Sequence, residues 1–198
     1  MRPGISIPNS PFSARIKEAV RLHKEFGSSL REDAILRNLL TGLNKSGEDT
    51  RQAMDRLGVT GECAECAASE AGTCCGERTG LKCDLLLLLI NMLLNITLPV
   101  IYQERGSCYF LTPRGCSLRA RPVICINYLC TRLRKNIQAE KLISLQQIAG
   151  KEMDALFLVE EYLKKTGVFR NYRNSRPAIY LPSSSGFTHR TTPDCDGR

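Results

Sequence analysis

The chain is predicted to be mainly α, a helical domain organised around an irregular, cysteine-rich metal-binding centre. Three observations predict this. Apolar residues recur at helical spacing, with start and stop signals, over the first sixty residues and again over the C-terminal third. Nine of the ten cysteines fall between Cys63 and Cys130. The 198 residues are 42% apolar, enough for one ordinary core and too many for wholesale disorder.

The elements follow in order. Ser10-Pro11 opens a first helix, with proline at the first helical position, and Phe12, Ile16, Val20 and Phe26 give it an apolar stripe before Gly27 stops it. Ser29 and Glu32 have the spacing of a capping box ahead of Ala34-Ile35-Leu36 and Leu39-Leu40. A short third helix follows Ser46 and stops at Gly58. Residues 1–59 thus form an N-terminal helical segment whose charges belong to a solvated face. Nothing in it resembles a phosphate loop.

From Thr60 the stretch ECAECAASEAGTCCGERTGLKC is small and lacks a hydrophobic period, so burial of side chains cannot order it. Asp84 then caps an apolar helix over 85–98. The run LLLLLINMLLNITLPVIY is about the length of a membrane span. Asn91 and Asn95 share one helical face, however, Pro99 closes the run, and cysteine-rich sequence flanks it. A buried core helix accounts for these residues without forcing two amides into lipid, so no stable membrane insertion is expected.

The second cysteine block carries turn residues at Gly106, Pro113, Gly115 and Pro122, and the metal-binding region as a whole spans 60–135. A long C-terminal helix begins at Ser144, with Gln147 completing a capping box. Leu145, Ile148, Leu156, Val159 and Leu163 form its apolar face, Gly167 ends it, and the segment 136–169 packs on the same core. Residues 170–198 read as a flexible basic tail. No internal repeat is evident beyond a loose similarity of the two cysteine blocks.

Compartment decides what cysteines mean. The N-terminal MRPGISIPNSPFSARIKEAV lacks the apolar run of a secretory signal, so a cytoplasmic location and reduced thiols are expected. The alternative, a secreted disulfide scaffold, would want an export signal. With only His23 and His189 present and no tryptophan, sites built on several imidazoles are disfavoured.

Cys63-x2-Cys66 has the spacing of a metal knuckle. After seven intervening residues comes the vicinal pair Cys74-Cys75, a poor disulfide and a better pair of ligands, followed by Cys83. The second block supplies Cys108, Cys116, Cys125 and Cys130. The expected ligands are Cys63, Cys66, Cys74, Cys75, Cys108, Cys116, Cys125 and Cys130. Eight thiols suffice for two four-sulfur sites, or for one iron–sulfur cluster with spare thiols, so zinc and iron both stay open, in one or two centres. Cys83, beside the core helix, and Cys195, in the tail, read as ordinary non-ligand cysteines.

Four thiolates leave a divalent ion with surplus negative charge. Arg114, Arg119, Arg121, Arg132 and Arg134 lie nearby in sequence, either to balance that charge or as a solvated basic face. Pro122 holds Arg121 extended, which sets Cys125 at a fixed distance from Cys116. Arg121 itself either donates charge-assisted hydrogen bonds to the thiolates or pairs with a carboxylate.

The set Cys63, Cys66, Cys74, Cys75, Cys108, Gly115-Cys116, Arg121-Pro122 and Cys125 resembles the YkgJ-like cysteine-cluster proteins, described as a zinc- or iron-chelating domain. The resemblance covers about residues 60–130 and implies metal chelation. It departs from the family in the AASEAGT insert between the CxxC and the CC pair. Flagellin lysine-N-methylases carry a similar cluster, so the resemblance also implies, as an alternative, a protein-lysine methylase-like enzyme with an iron–sulfur cluster. Against this, no glycine-rich donor loop follows a strand.

A third reading is a nucleic-acid-binding zinc protein, since 28 basic against 20 acidic residues give a formal net charge of +8. Ligand thiolates would lower that figure, and no aromatic–basic interleaving suited to base stacking appears. A thiol oxidoreductase lacks its βαβ context. Whether the chain is an enzyme, and with which protein partner or substrate, stays open at this stage.

Overall fold

Helical periodicity extends further than its punctuation suggests. The computed structural model describes residues 5–6, 11–68, 74–99, 101–102, 107–112 and 115–168. Helix α1 (Pro11–Glu32) begins at the expected proline but runs through Gly27. Leu30, one turn beyond Phe26, is 5% exposed, and burying it outweighs the roughly 1 kcal/mol that a helical glycine costs. The Ser29 hydroxyl donates back to the Phe26 carbonyl at 2.9 Å and is no cap. The buried stripe is Phe12, Ile16, Ala19, Leu22 and Leu30, whereas Val20 lies outside it, half exposed.

Asp33 separates α1 from α2 (Ala34–Arg56), its Oδ1 accepting from the backbone N–H groups of Ile35 and Leu36 at 2.9 and 3.0 Å. A carboxylate at the N-terminus also suits the helix dipole. Ser46 starts no new helix, because its hydroxyl bonds the Leu43 carbonyl within α2. The chain turns at Gly58, whose φ of +72° favours glycine, as the sequence predicts. A third helix then appears where irregular chain is expected, α3 (Val59–Ala68). Val59, 1% exposed, anchors it, and its three alanines favour helix without needing a hydrophobic period.

A single turn, α4 (Glu77–Gly80), leads to α5 (Leu85–Leu93), which Asp84 caps through Leu87 N–H at 2.8 Å. The expected helix over 85–98 ends early at Leu94, where Asn95 adopts a φ of +63°. Next come two short antiparallel pairs. β1 (Ile5–Ser6) pairs with β2 (Ile101–Tyr102), and β3 (Leu111–Thr112) with β4 (Gly115–Cys116), in the register Leu111 opposite Cys116. Short helices α6 (Val123–Asn127) and α7 (Thr131–Asn136) follow, and then α8 (Ala139–Lys165). α8 starts five residues before the predicted Ser144, and Leu142 packs in that added turn.

The main core joins α1, α2, α5 and α8, with Leu88, Leu89, Ile90 and Val159 fully buried. Phe12, Tyr109 and Phe110 close one end edge to face, at centroid separations of 4.9 to 5.7 Å. A smaller core of Ala53, Val59, Leu129, Leu133 and Leu145 lies under α3 and α7. Among the described residues no helix is long and apolar enough to cross a membrane. The expectations for Ser10, Gly106, Pro113, Arg114, the 170–198 tail and Cys195 lie outside the described residues.

Candidate metal centre

Because α3 is helical, Cys63 and Cys66 stand three residues apart on one face. That face is turned toward the start of α7 by two links. Cys63 and Cys130 both pack on the smaller core. Arg132 of α7 bridges Glu62 and Glu65 of α3, at 2.6 and 3.1 Å. The result is a cavity of about 40 Å³ lined by Cys63, Cys66, Cys74, Cys75 and Cys130, with Glu62 and Arg132 at its wall. Organic cofactors occupy several hundred cubic ångströms, so this space suits an ion.

The vicinal pair is tied to the second block by backbone. Gly76 bridges Ser107, the Cys108 N–H donates to the Cys75 carbonyl at 2.5 Å, and the Thr79 hydroxyl donates to the Cys74 carbonyl at 2.9 Å. Gly80 permits close approach: a Cβ there would lie 3.3 Å from the Tyr109 backbone nitrogen and 3.5 Å from Cys108 Sγ. The β3–β4 hairpin, turned at Gly115 with φ +93°, brings Cys116 back opposite Leu111, three residues after Cys108. Pro122 caps α6, and the Cys125 N–H bonds the Pro122 carbonyl at 2.7 Å.

The segment between Cys116 and Cys125 is clamped from three sides. Asn91 of α5, fully buried, accepts from the N–H groups of Arg119 and Ala120 and donates to the carbonyls of Ala120 and Leu87, all at 2.8 to 3.1 Å. From α2, Arg51 donates to the carbonyls of Leu118 and Arg119, while Glu48 pairs with Arg119. From α8, Glu152 pairs with Arg121. Of the two alternatives for Arg121, the carboxylate partner is the one observed. Its Nε–H, however, is buried with no hydrogen-bond partner among the described residues.

Thiol chemistry follows from this crowding. Burial pushes the Cys125 thiol up to about 12, with the nearby Cys116 and Cys108 adding to the shift. Burial likewise raises Cys108 and Cys116, and at Cys116 the guanidinium groups of Arg121 and Arg51 pull the other way. Cys116 keeps a solvent-accessible surface while lying deep enough in protein for its thiolate to be disfavoured, so reagents can reach it. For Cys75 the shift is upward, first through a hydrogen bond with Cys74 and then through burial. Cys83, 1% exposed, is raised by burial and then by Cys108, Cys116 and Cys125. In each of these groups the environment favours the protonated thiol over the thiolate.

The nine described cysteines are thiols, not half-cystines. All eight predicted ligands lie in two adjoining groups, one around the cavity and one around Cys108, Cys116 and Cys125. Among the described residues, however, no three Cys, His, Asp or Glu side chains stand in ready ligating geometry. The donor set still fits a soft or borderline ion: it is all sulfur, drawn from separate segments, with cations at hand.

Sequence reasoning did not find Arg51, Glu152 or the Glu62–Glu65–Arg132 bridge. Glu152 was signalled, since it falls on the apolar face of α8 between Leu145 and Leu156. Asn91 was singled out only as an argument against lipid. No family model, curated protein or solved structure matches the chain.

Proposed function

We propose that this is a metal-binding protein whose cysteines hold zinc or iron, the latter as an ion or as an iron–sulfur cluster. One observation carries the reading: five thiols from α3, the vicinal pair and the approach to α7 line one ion-sized cavity. The bound metal supplies charge compensation and crosslinking of the two cysteine blocks. The chain's own residues do the rest. α3 and the start of α7 bring Cys63, Cys66 and Cys130 to the wall of one cavity, the Asn91 clamp fixes the backbone between Cys116 and Cys125, and Arg51 and Arg121 offset negative charge at Cys116. Protons held on the raised thiols leave on binding. The resemblance to the YkgJ-like proteins favours the same reading.

Elemental analysis of anaerobically purified full-length protein tests it. Stoichiometric zinc in a colourless solution, or iron with broad visible absorption, supports it. Protein that is metal-free as isolated and takes up neither metal on anaerobic reconstitution overturns it.

A further inference from the structure

Resting on that reading, and going further, we propose that the thiols form two adjoining metal centres that meet at the vicinal pair. Cys63, Cys66 and Cys130 hold one ion, Cys108, Cys116 and Cys125 hold the other, and one thiolate of the Cys74–Cys75 pair closes each shell. The first trio is defined by its shared cavity, which Cys108, Cys116 and Cys125 do not line. The second trio is set by different elements, the β3–β4 hairpin and α6, and by the clamp from α2, α5 and α8. The pair belongs to both. Cys74 and Cys75 line the cavity, while the Cys75 carbonyl is bonded to Cys108 and both thiols interact with the second group.

Charge bears on the second shell. Two four-thiolate shells around divalent ions concentrate surplus negative charge, which a buried position disfavours unless cations are close. The second trio has cations close by, whereas the Arg132 charge at the first cavity is already taken up by Glu62 and Glu65. Arg51 and Arg121 stand by Cys116, and the Nε–H of Arg121, which has no partner among the described residues, is a buried donor that a sulfur acceptor would satisfy. Cys83 sits behind the second trio as a buried thiol and is not needed to complete either shell.

The reduced, metal-free full chain is titrated anaerobically with Co²⁺ alone, following thiolate-to-cobalt charge-transfer absorption, with native mass spectrometry counting bound ions. Two equivalents are expected. The double variant C63S/C66S should keep one, with Cys108, Cys116 and Cys125 protected from alkylation. C116S/C125S should keep the other, with Cys63, Cys66 and Cys130 protected, and C83A should keep both. A single equivalent in the unmutated chain overturns the division, as does a folded double variant that loses both ions or neither. If a double variant loses its helical circular dichroism, the ion count of the unmutated chain decides. No ion at all overturns metal binding itself, an outcome distinct from a count of one.

Discussion

The carboxylate of Glu152 accepts on both oxygens from Nη2 of Arg121, at 3.2 and 2.9 Å, and the two side chains are 0% and 8% exposed. This pair fastens α8 to the segment that presents Cys116 and Cys125. A buried ion pair is weak evidence of net stabilisation, because desolvating both charges costs about as much as their attraction returns. Breaking it one-sidedly is another matter.

Glu152→Ala is therefore expected to destabilise the fold by about 3–5 kcal/mol, since it strands the Arg121 guanidinium in the core. The double variant R121M/E152L should recover most of that loss. Urea unfolding of the single and double variants measures both effects; equal losses would show that the cost comes from packing and not from an uncompensated charge.

Asn91 is the second buried polar anchor. Its amide satisfies two N–H groups and two carbonyls, three of these bonds buried and the one to Arg119 N–H part-buried. Asn91→Leu fits the apolar surroundings yet leaves the backbone N–H groups of Arg119 and Ala120 unpaired, at about 1–3 kcal/mol each. The expected loss is about 2–6 kcal/mol in all, with hydrogen exchange rising first at those two amides. Unchanged exchange at Arg119 and Ala120 would contradict the clamp.

How much of this was legible beforehand depends on what kind of residue carried the information. Pro11, Asp84, Gly58 and the α8 stripe announced themselves through backbone preference and period, and the mainly helical class followed. Gly27, Ser29 and Ser46 misled because local punctuation yields where a helix continues to bury side chains beyond it, Leu30 past Gly27 and Ser29, and Thr50 and Ala53 past Ser46. The eight candidate ligands could be named from spacing, but their grouping could not. That grouping depends on α3 being helical and on Arg132 reaching Glu62, contacts 67 or more positions apart in the chain with no local signature.

His23 gives the fold an acid-sensitive contact. Its Nε2 lies 2.9 Å from Arg31 Nη2, which also donates to the Met92 carbonyl and so ties α1 to the end of α5. Burial, and then the Arg31 charge, lower the imidazole below its ordinary value. The unfolded chain therefore takes up this proton first, so the stability is fully present above about pH 6.5 and is lost as pH falls through the lower folded value. His23→Gln keeps an acceptor for Arg31 and does not titrate. Its Tm should fall less than that of the unmutated protein between about pH 7.5 and about pH 5.5; parallel curves would remove His23 as the cause.

Metal removal should reverse the sign of the pH dependence set by the cysteines. In the metal-free chain the raised thiols of Cys108, Cys116 and Cys125 keep their protons when the unfolded chain has begun to lose them. Stability is then present below about pH 8.5 and declines as pH rises toward the folded value of Cys125, about 12. With metal bound the same sulfurs are thiolates, so protons compete with the ion and stability is lost toward acid instead. At a free metal concentration about 1,000-fold above Kd, one ion adds about 4 kcal/mol. Thermal melts with and without chelator, run across pH, should therefore diverge at neutral pH and converge in acid. Identical curves at every pH would mean that the thiols hold no metal in the folded chain.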